Sequence, residues 1–249
     1  MMHETHRNLR FATEKEDRDV FVRWKILPKQ QEGVSLNRVR TITRIPTALA
    51  GWSGLTLLMI VNLRSIRVDL GLTHLRAILR SVSYFTVLCN LLVTVAVTIA
   101  LLWPNRRAGR FFSSPKLLSG ILACTVVVGL VYHLMLADVW NPQGMHLVAD
   151  ILQHYIVPIS FLLHWIFIPK GTLNWKVIPS WLVFPAVYFL LIMVRGAIAD
   201  VYPYPFIDVS RLGIWRVLIN AVVITLGFAV VGSAVVALDL LLGRTRLSQ

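Results

Sequence analysis

Hydrophobic residues occur in six long runs, separated by short segments that contain most of the charges. Each run has at least about the 20 residues that an α-helix needs to cross a hydrocarbon layer of ~30 Å. The pattern therefore predicts an all-α integral membrane bundle of six transmembrane helices within residues 45–243. A basic N-terminal tail, partly disordered, is predicted for 1–44 and a short tail for 244–249. The runs are 45–63, 82–103, 117–137, 147–168, 177–200 and 214–242.

Composition supports a membrane protein rather than a nucleic-acid-binding one. The chain is 56% hydrophobic yet carries a formal charge of +13, and its mean hydropathy is +0.68. The cations flank the apolar runs, where they govern topology and attract anionic lipid headgroups. We therefore expect headgroup contacts and no nucleic-acid partner.

The distribution of lysine and arginine predicts the orientation. If the six runs cross the membrane in alternation, 18 of the 25 basic residues fall on the side that holds both termini, and five fall on the other. The positive-inside rule then predicts that both termini are cytoplasmic.

Polar residues inside the runs gather toward the predicted outer end of the bundle. Ionisable groups at that depth are costly unless they pair or line a wet cavity. Their convergence predicts a polar pocket open toward the outer leaflet, whereas the inner halves are almost wholly apolar apart from Asp239. The outer set is Ser83, Tyr84, Thr86, Asn90, Tyr132, His133, Asp150, Gln153, His154, Arg195, Asp200, Arg216 and Asn220.

Residue spacing assigns candidate roles within this set. Asp150 and His154 are four residues apart and share one helix face, so the carboxylate can bind one ring nitrogen and leave the other as a base. A threonine hydroxyl needs such a base to act as a nucleophile, which makes Thr86 and His154 a candidate catalytic pair. Candidate donors to a developing oxyanion are Arg195, Asn90 and Tyr132.

Each candidate also has a structural alternative. An intramembrane threonine commonly bonds back to the carbonyl one turn earlier. His133 lies near the interface, where water can solvate it, and Arg195 can extend its charge to the headgroups. Pro158 predicts a kink in the fourth helix beside His154.

Cysteines and sequence motifs give no sign of a metal or an organic cofactor. Cys89 and Cys124 lie within predicted spans and belong to no CxxC pair, so neither a disulfide nor a metal site is expected. Soluble-enzyme signatures such as G-x-S-x-G, H-E-x-x-H and the P-loop are missing from the sequence.

Several segments resemble the androgen-induced protein family, and the closest resemblance is to its bacterial relatives. Three carry the likeness: Ser83-Tyr-Phe-Thr86-Val-Leu, Gln153-His154-Tyr-Ile-Val-Pro158 and Tyr204-Pro-Phe206. Three more are typical of the bacterial members: Tyr132-His133, Trp140-Asn141-Pro142 and Pro169-Lys170-Gly171. The resemblance covers roughly residues 45–243. It implies a multi-pass hydrolase of fatty acid esters of hydroxy fatty acids, with Thr86 as nucleophile and His154 as its histidine, in a bacterial plasma membrane.

Three functions remain open at this point. The first is an intramembrane hydrolase of a lipid ester, with Thr86 and His154 catalytic. Its supporting or substrate-binding residues would be Asp150, Asn90, Tyr132, His133, Arg195, Tyr204 and Arg216. The second is a non-catalytic protein that binds or transports an amphipathic ligand, and the third is a membrane regulator or scaffold that acts through residues 1–44.

Overall fold

The computed structural model describes residues 36, 38–65, 71, 73–137 and 141–247. This part of the chain contains six helices that are long and apolar enough to cross a membrane, and it contains no β-strand. The prediction of an all-α, multi-pass membrane bundle is thereby confirmed. The helices are α1 (Arg38–Ser65), α2 (Phe85–Leu102), α3 (Pro115–Leu136), α4 (Met145–Ile166), α5 (Trp175–Ala199) and α6 (Ile214–Thr245).

Residues 1–42 and 43–249 are two separate units. Of the first unit, the structure describes only residue 36 and the helical residues 38–42, so the predicted tail of 1–44 lies mostly outside the described residues. Because α1 is already helical at Arg38, the helix begins before the predicted boundary at residue 45.

Successive spanning helices run in opposite directions. Arg44, near the start of α1, donates to the carbonyl of Ala100 at the end of α2 over 3.2 Å. Tyr132, near the end of α3, donates to Asp150 near the start of α4 over 2.7 Å. We call the end at which α2, α4 and α6 begin the site end, and the other the opposite end. In the described connections lie the short α-helices His74–Ser81, Arg107–Phe112 and Val209–Leu212 and the 3-10 helix Pro205–Ile207.

Helix α3 lies at the centre of the bundle and α5 at its periphery. In its most apolar window, 61% of the α3 residues are buried, against 11% for α5. The main core packs α3 against α2 and α4 through Leu122, Val93, Val97, Phe161 and Trp165. Helix α5 adds mainly partly buried side chains to a second hydrophobic cluster, among them Phe184 and Phe189, and residues of α5 line a cavity toward the site end.

Two turns of π-helix interrupt the bundle at the site end. One, Tyr132–Leu136, ends α3, and the other, Leu152–Ile156, lies inside α4 immediately before Pro158. Proline has no N–H for the regular helical bond, and the wider turn accommodates that loss where the sequence predicted a kink. Such turns are frequent at functional sites.

The opposite end is more polar inside than the sequence predicted. Besides Asp239, Arg44 and His164 are also buried. The His164 imidazole hydrogen bonds with Thr43 over 2.9 Å, and Asp239 accepts the N–H groups of Thr172 and Leu173, both at 3.0 Å. The first contact joins α1 to α4 and the second joins α6 to the connection before α5, and these hydrogen bonds offset the cost of burial.

Candidate functional site

His154, Asp150 and Tyr132 form a compact group at the site end. The Nδ1 atom of His154 lies 3.0 Å from one carboxylate oxygen of Asp150. The other carboxylate oxygen accepts the Tyr132 hydroxyl at 2.7 Å. The Tyr132 ring also stacks on the imidazole, with centroids 3.9 Å apart and planes inclined by 15°. Both oxygens of a buried carboxylate are therefore occupied, and the imidazole is fixed in position and in plane.

This arrangement selects one tautomer of His154. Nδ1 faces two acceptors, the Asp150 carboxylate at 3.0 Å and the Asp150 carbonyl at 3.2 Å, so an Nδ1–H tautomer, with the lone pair on Nε2, fits both contacts. That is the protonation state which a histidine base needs in a hydrolase. The predicted relation between Asp150 and His154 is present, while the contribution of Tyr132 differs from the predicted one because its hydroxyl is already bound to Asp150.

His133 lies at the exposed rim of this group. Its Nδ1 is 3.0 Å from the Gly129 carbonyl, and its Nε2 is 3.2 Å from the Tyr155 hydroxyl. An open cavity of about 450 Å³ lies alongside and is lined by Tyr132, Asp150 and Tyr155, among others. Polar groups can thus reach Asp150 from outside the bundle.

Thr86 occupies the first turn of α2, where it meets Tyr204 from the connection between α5 and α6. The Tyr204 hydroxyl accepts the Phe85 N–H at 2.9 Å, and Tyr204 and Thr86 line the same cavity. Burial raises the pKa of Tyr204 to about 12, although the hydrogen bond from Phe85 acts to lower it. The phenol therefore stays protonated at neutral pH and remains able to donate.

Threonine hydroxyls of the spanning helices have two kinds of partner. Thr94, Thr125 and Thr225 each donate to the carbonyl four residues earlier, at 2.7 to 2.9 Å, which is the ordinary structural role of an intramembrane threonine. Thr43 and Thr98 pair with side chains of other helices. Thr86 lies at the edge of a cavity of about 340 Å³ whose walls are otherwise mostly apolar.

Asn90 connects the two halves of the site. Its amide nitrogen donates to the Thr86 carbonyl at 2.9 Å and to the Gln153 carbonyl at 3.3 Å, and Gln153 precedes His154. Both amide hydrogens are thereby used, so Asn90 presents an acceptor rather than an oxyanion donor. Among the described residues, no hydrogen bond joins the Thr86 hydroxyl to His154.

Two predicted supporting residues stand apart from this group. Arg195 is half-buried and Arg216 is exposed, and within the described ranges neither makes a hydrogen bond or an ion pair to the site residues. Tyr188, which sequence reasoning missed, donates to the Ser83 carbonyl at 2.7 Å. Its position in an unbroken apolar run gave no signal of that role.

The described part of the chain offers no cluster of three or more histidine, cysteine or acidic residues able to hold a metal. Cys89 of α2 and Cys124 of α3 are buried free thiols that belong to one hydrophobic cluster.

Comparison of the chain with protein-family models, with curated proteins and with solved structures finds no match.

Proposed function

We propose that this protein is an intramembrane hydrolase of lipid esters, with Thr86 as nucleophile and His154 as general base. The observation that carries the proposal is the buried Asp150 carboxylate, which lies 3.0 Å from His154 Nδ1 and leaves Nε2 as the basic nitrogen. A carboxylate that orients a histidine in this way is the recurring device of hydroxyl-nucleophile hydrolases. Substrates are fatty acid esters of hydroxy fatty acids or similar lipid esters.

The reaction proceeds in two halves. The Thr86 oxygen attacks the ester carbonyl while its proton passes to His154 Nε2, and that proton then leaves with the alcohol as the ester bond breaks. Water attacks the resulting acyl-threonine with His154 again as base, releasing the acid and restoring the hydroxyl. The Tyr204 phenol, which is bonded to the Phe85 N–H next to Thr86 and lines the same cavity, supplies a hydrogen bond to the oxyanion. The proposed chemistry requires no metal or organic cofactor.

Proton transfer requires the two catalytic side chains to come together. They share no hydrogen bond in the described structure, so a water or a closure of the site around substrate must join them. The shared Asn90 amide keeps the two backbones close. The π-helical turn around His154 is a local irregularity that can accommodate a change of helix register.

The first test is labelling of the detergent-purified protein with an activated fluorophosphonate. We expect wild type to be labelled and both Thr86→Ala and His154→Ala to lose labelling, because one lacks the oxygen and the other the base. Thr86→Ser keeps a hydroxyl and should retain it. A matched control is Thr94→Ala, which removes a threonine that only bonds back to its own helix.

Mass spectrometry of the adduct identifies the modified residue. Labelling on any residue other than Thr86, or an unlabelled wild type beside a labelled control hydrolase, would contradict the proposed mechanism. Size-exclusion profiles of the variants establish that loss of labelling is not loss of fold.

Further features support the type of reaction, the orientation of the protein and the membrane in which it lies. The likeness of the segments around Thr86, His154 and Tyr204 to the androgen-induced protein family supports an ester-hydrolysing role. The excess of cations on one side of the spans supports cytoplasmic termini and contact with anionic headgroups there. We place the protein in a bacterial plasma membrane on the same resemblance.

A second candidate function is binding or transport of an amphipathic ligand without turnover. The apolar cavity of about 340 Å³ favours it, because this volume lies within the range of ligand pockets. Recovery of an intact bound lipid from the protein, together with an unlabelled Thr86, would favour the carrier over the hydrolase.

A further inference from the structure

Helix α5 is held tightly to the bundle at the opposite end. The Trp181 indole lies against Gly120 of α3, where a Cβ would come within 2.6 Å of the ring. Its N–H donates to the Lys116 carbonyl at 3.1 Å. Gly232 of α6 approaches the same ring, since a Cβ there would lie 3.6 Å from it. Two glycines therefore let one tryptophan join α3, α5 and α6.

Toward the site end a cavity of about 340 Å³ separates α5 from its neighbours. Residues of α2, α3, α5 and α6 line it, and the connection that carries Tyr204 closes it at the site end. On α5 and α6 its lining includes small residues, the exposed Ala186 and Thr225 and the half-buried Ala221, together with the larger, exposed Leu190. We call this side of the cavity its seam. Within the spans an exposed seam faces hydrocarbon, so the cavity opens to lipid.

The cavity is itself amphipathic. Phe189, Ile224 and Phe228 contribute apolar walls along most of its length. Polar groups are concentrated where α2 begins, at the hydroxyls of Thr86 and Tyr204. An occupant must therefore be an apolar chain with a hydrogen-bonding group at one end, which describes a fatty acyl ester or a fatty acid.

We propose that the seam between α5 and α6 is a lateral portal through which one acyl chain enters from the bilayer. The chain lies along Phe189 and Phe228, and its carbonyl end reaches Thr86 and Tyr204. The portal adds the route of the substrate to the proposed hydrolase function. The reaction at Thr86 depends on that proposed function, whereas binding of the acyl chain does not.

The test is photolabelling in phosphatidylcholine nanodiscs with palmitate that carries a diazirine in its chain. We expect adducts concentrated on cavity residues of α5 and α6, and about tenfold fewer of them in Ala186→Trp and in Ala221→Trp, because the indole fills the opening. The control Ala197→Trp places the same side chain on an exposed position of α5 that does not line the cavity, and it should leave cavity labelling unchanged.

The result that overturns the portal is cavity labelling equal in Ala186→Trp and Ala197→Trp, or adducts spread evenly over lipid-facing residues. Ala186 is exposed, so this variant remains informative even where Ala221→Trp fails to fold. Repeating the experiment in Thr86→Ala separates the two proposals. Portal-dependent labelling there, with no fluorophosphonate adduct on wild-type Thr86, would retain the portal and reject the hydrolase.

Discussion

Tyr132 contributes to the site in two ways that a single substitution can separate. Its hydroxyl donates to Asp150, and its ring stacks on His154. A buried carboxylate oxygen that loses its donor is left with a desolvation penalty of about 1–3 kcal/mol. That penalty weakens the orientation of His154, because an unpaired carboxylate oxygen favours a rotation of Asp150 away from the imidazole.

Tyr132→Phe keeps the ring and removes only the hydroxyl. We expect the rate of fluorophosphonate labelling to fall about tenfold, in keeping with a lost hydrogen bond of about 1.4 kcal/mol. Asp150→Asn should lower it by two orders of magnitude or more, because the amide no longer fixes the tautomer. Tyr155→Phe is the control, since its hydroxyl contacts only the exposed His133. Equal labelling rates in Tyr132→Phe and Tyr155→Phe would contradict a role of the Tyr132 hydroxyl in orienting His154.

Glycines on α3 show how closely helices pack in one part of the bundle and not in another. A Cβ at Gly120 would lie 2.6 Å from the Trp181 ring, whereas at Gly129 nothing lies within 4 Å. Both residues belong to the same helix. The difference shows that α3 contacts α5 closely at the opposite end and has free space beside it nearer the site end.

Gly120→Ala should therefore lower the melting temperature in detergent, because overpacking of a tight contact costs about 1–3 kcal/mol. Gly129→Ala should leave stability unchanged or raise it by up to about 1 kcal/mol, since alanine favours the helix. Thermal unfolding followed by circular dichroism compares the two. A larger loss at Gly129 than at Gly120 would contradict the packing of Trp181.

The segments that connect the spanning helices lie alternately at the two ends of the bundle. Their charges predict which end is cytoplasmic. Arg106, Arg107, Arg110, Lys116 and Lys176 lie near the opposite end, and no acidic residue accompanies them in 104–116 or 169–176. This supports a cytoplasmic opposite end and an outward-facing site.

Cysteine labelling tests that orientation. Gln143 near the site end and Asn105 near the opposite end are both exposed, and the native Cys89 and Cys124 are buried. In spheroplasts, a membrane-impermeant maleimide should modify Gln143→Cys directly, and Asn105→Cys only after permeabilisation. The reverse pattern would invert the predicted topology and turn the site toward the cytoplasm.

Features set by local spacing were predictable from the amino-acid order. Six apolar runs of sufficient length required six membrane helices, because backbone groups in lipid must be satisfied within the helix. The four-residue interval put Asp150 and His154 on one face, since the helical period is local. Pro158 marked the irregular turn for the same reason.

Features that join distant segments were decided by packing. Tyr132 lies 18 residues from Asp150, and Tyr204 lies 119 residues from Phe85; neither distance along the chain indicates a contact. The same holds for the cavity at Thr86, whose walls come from four helices and from the connection that carries Tyr204. Periodicity assigns a residue to a helix face, but the choice of which faces meet depends on side-chain volumes across several helices at once.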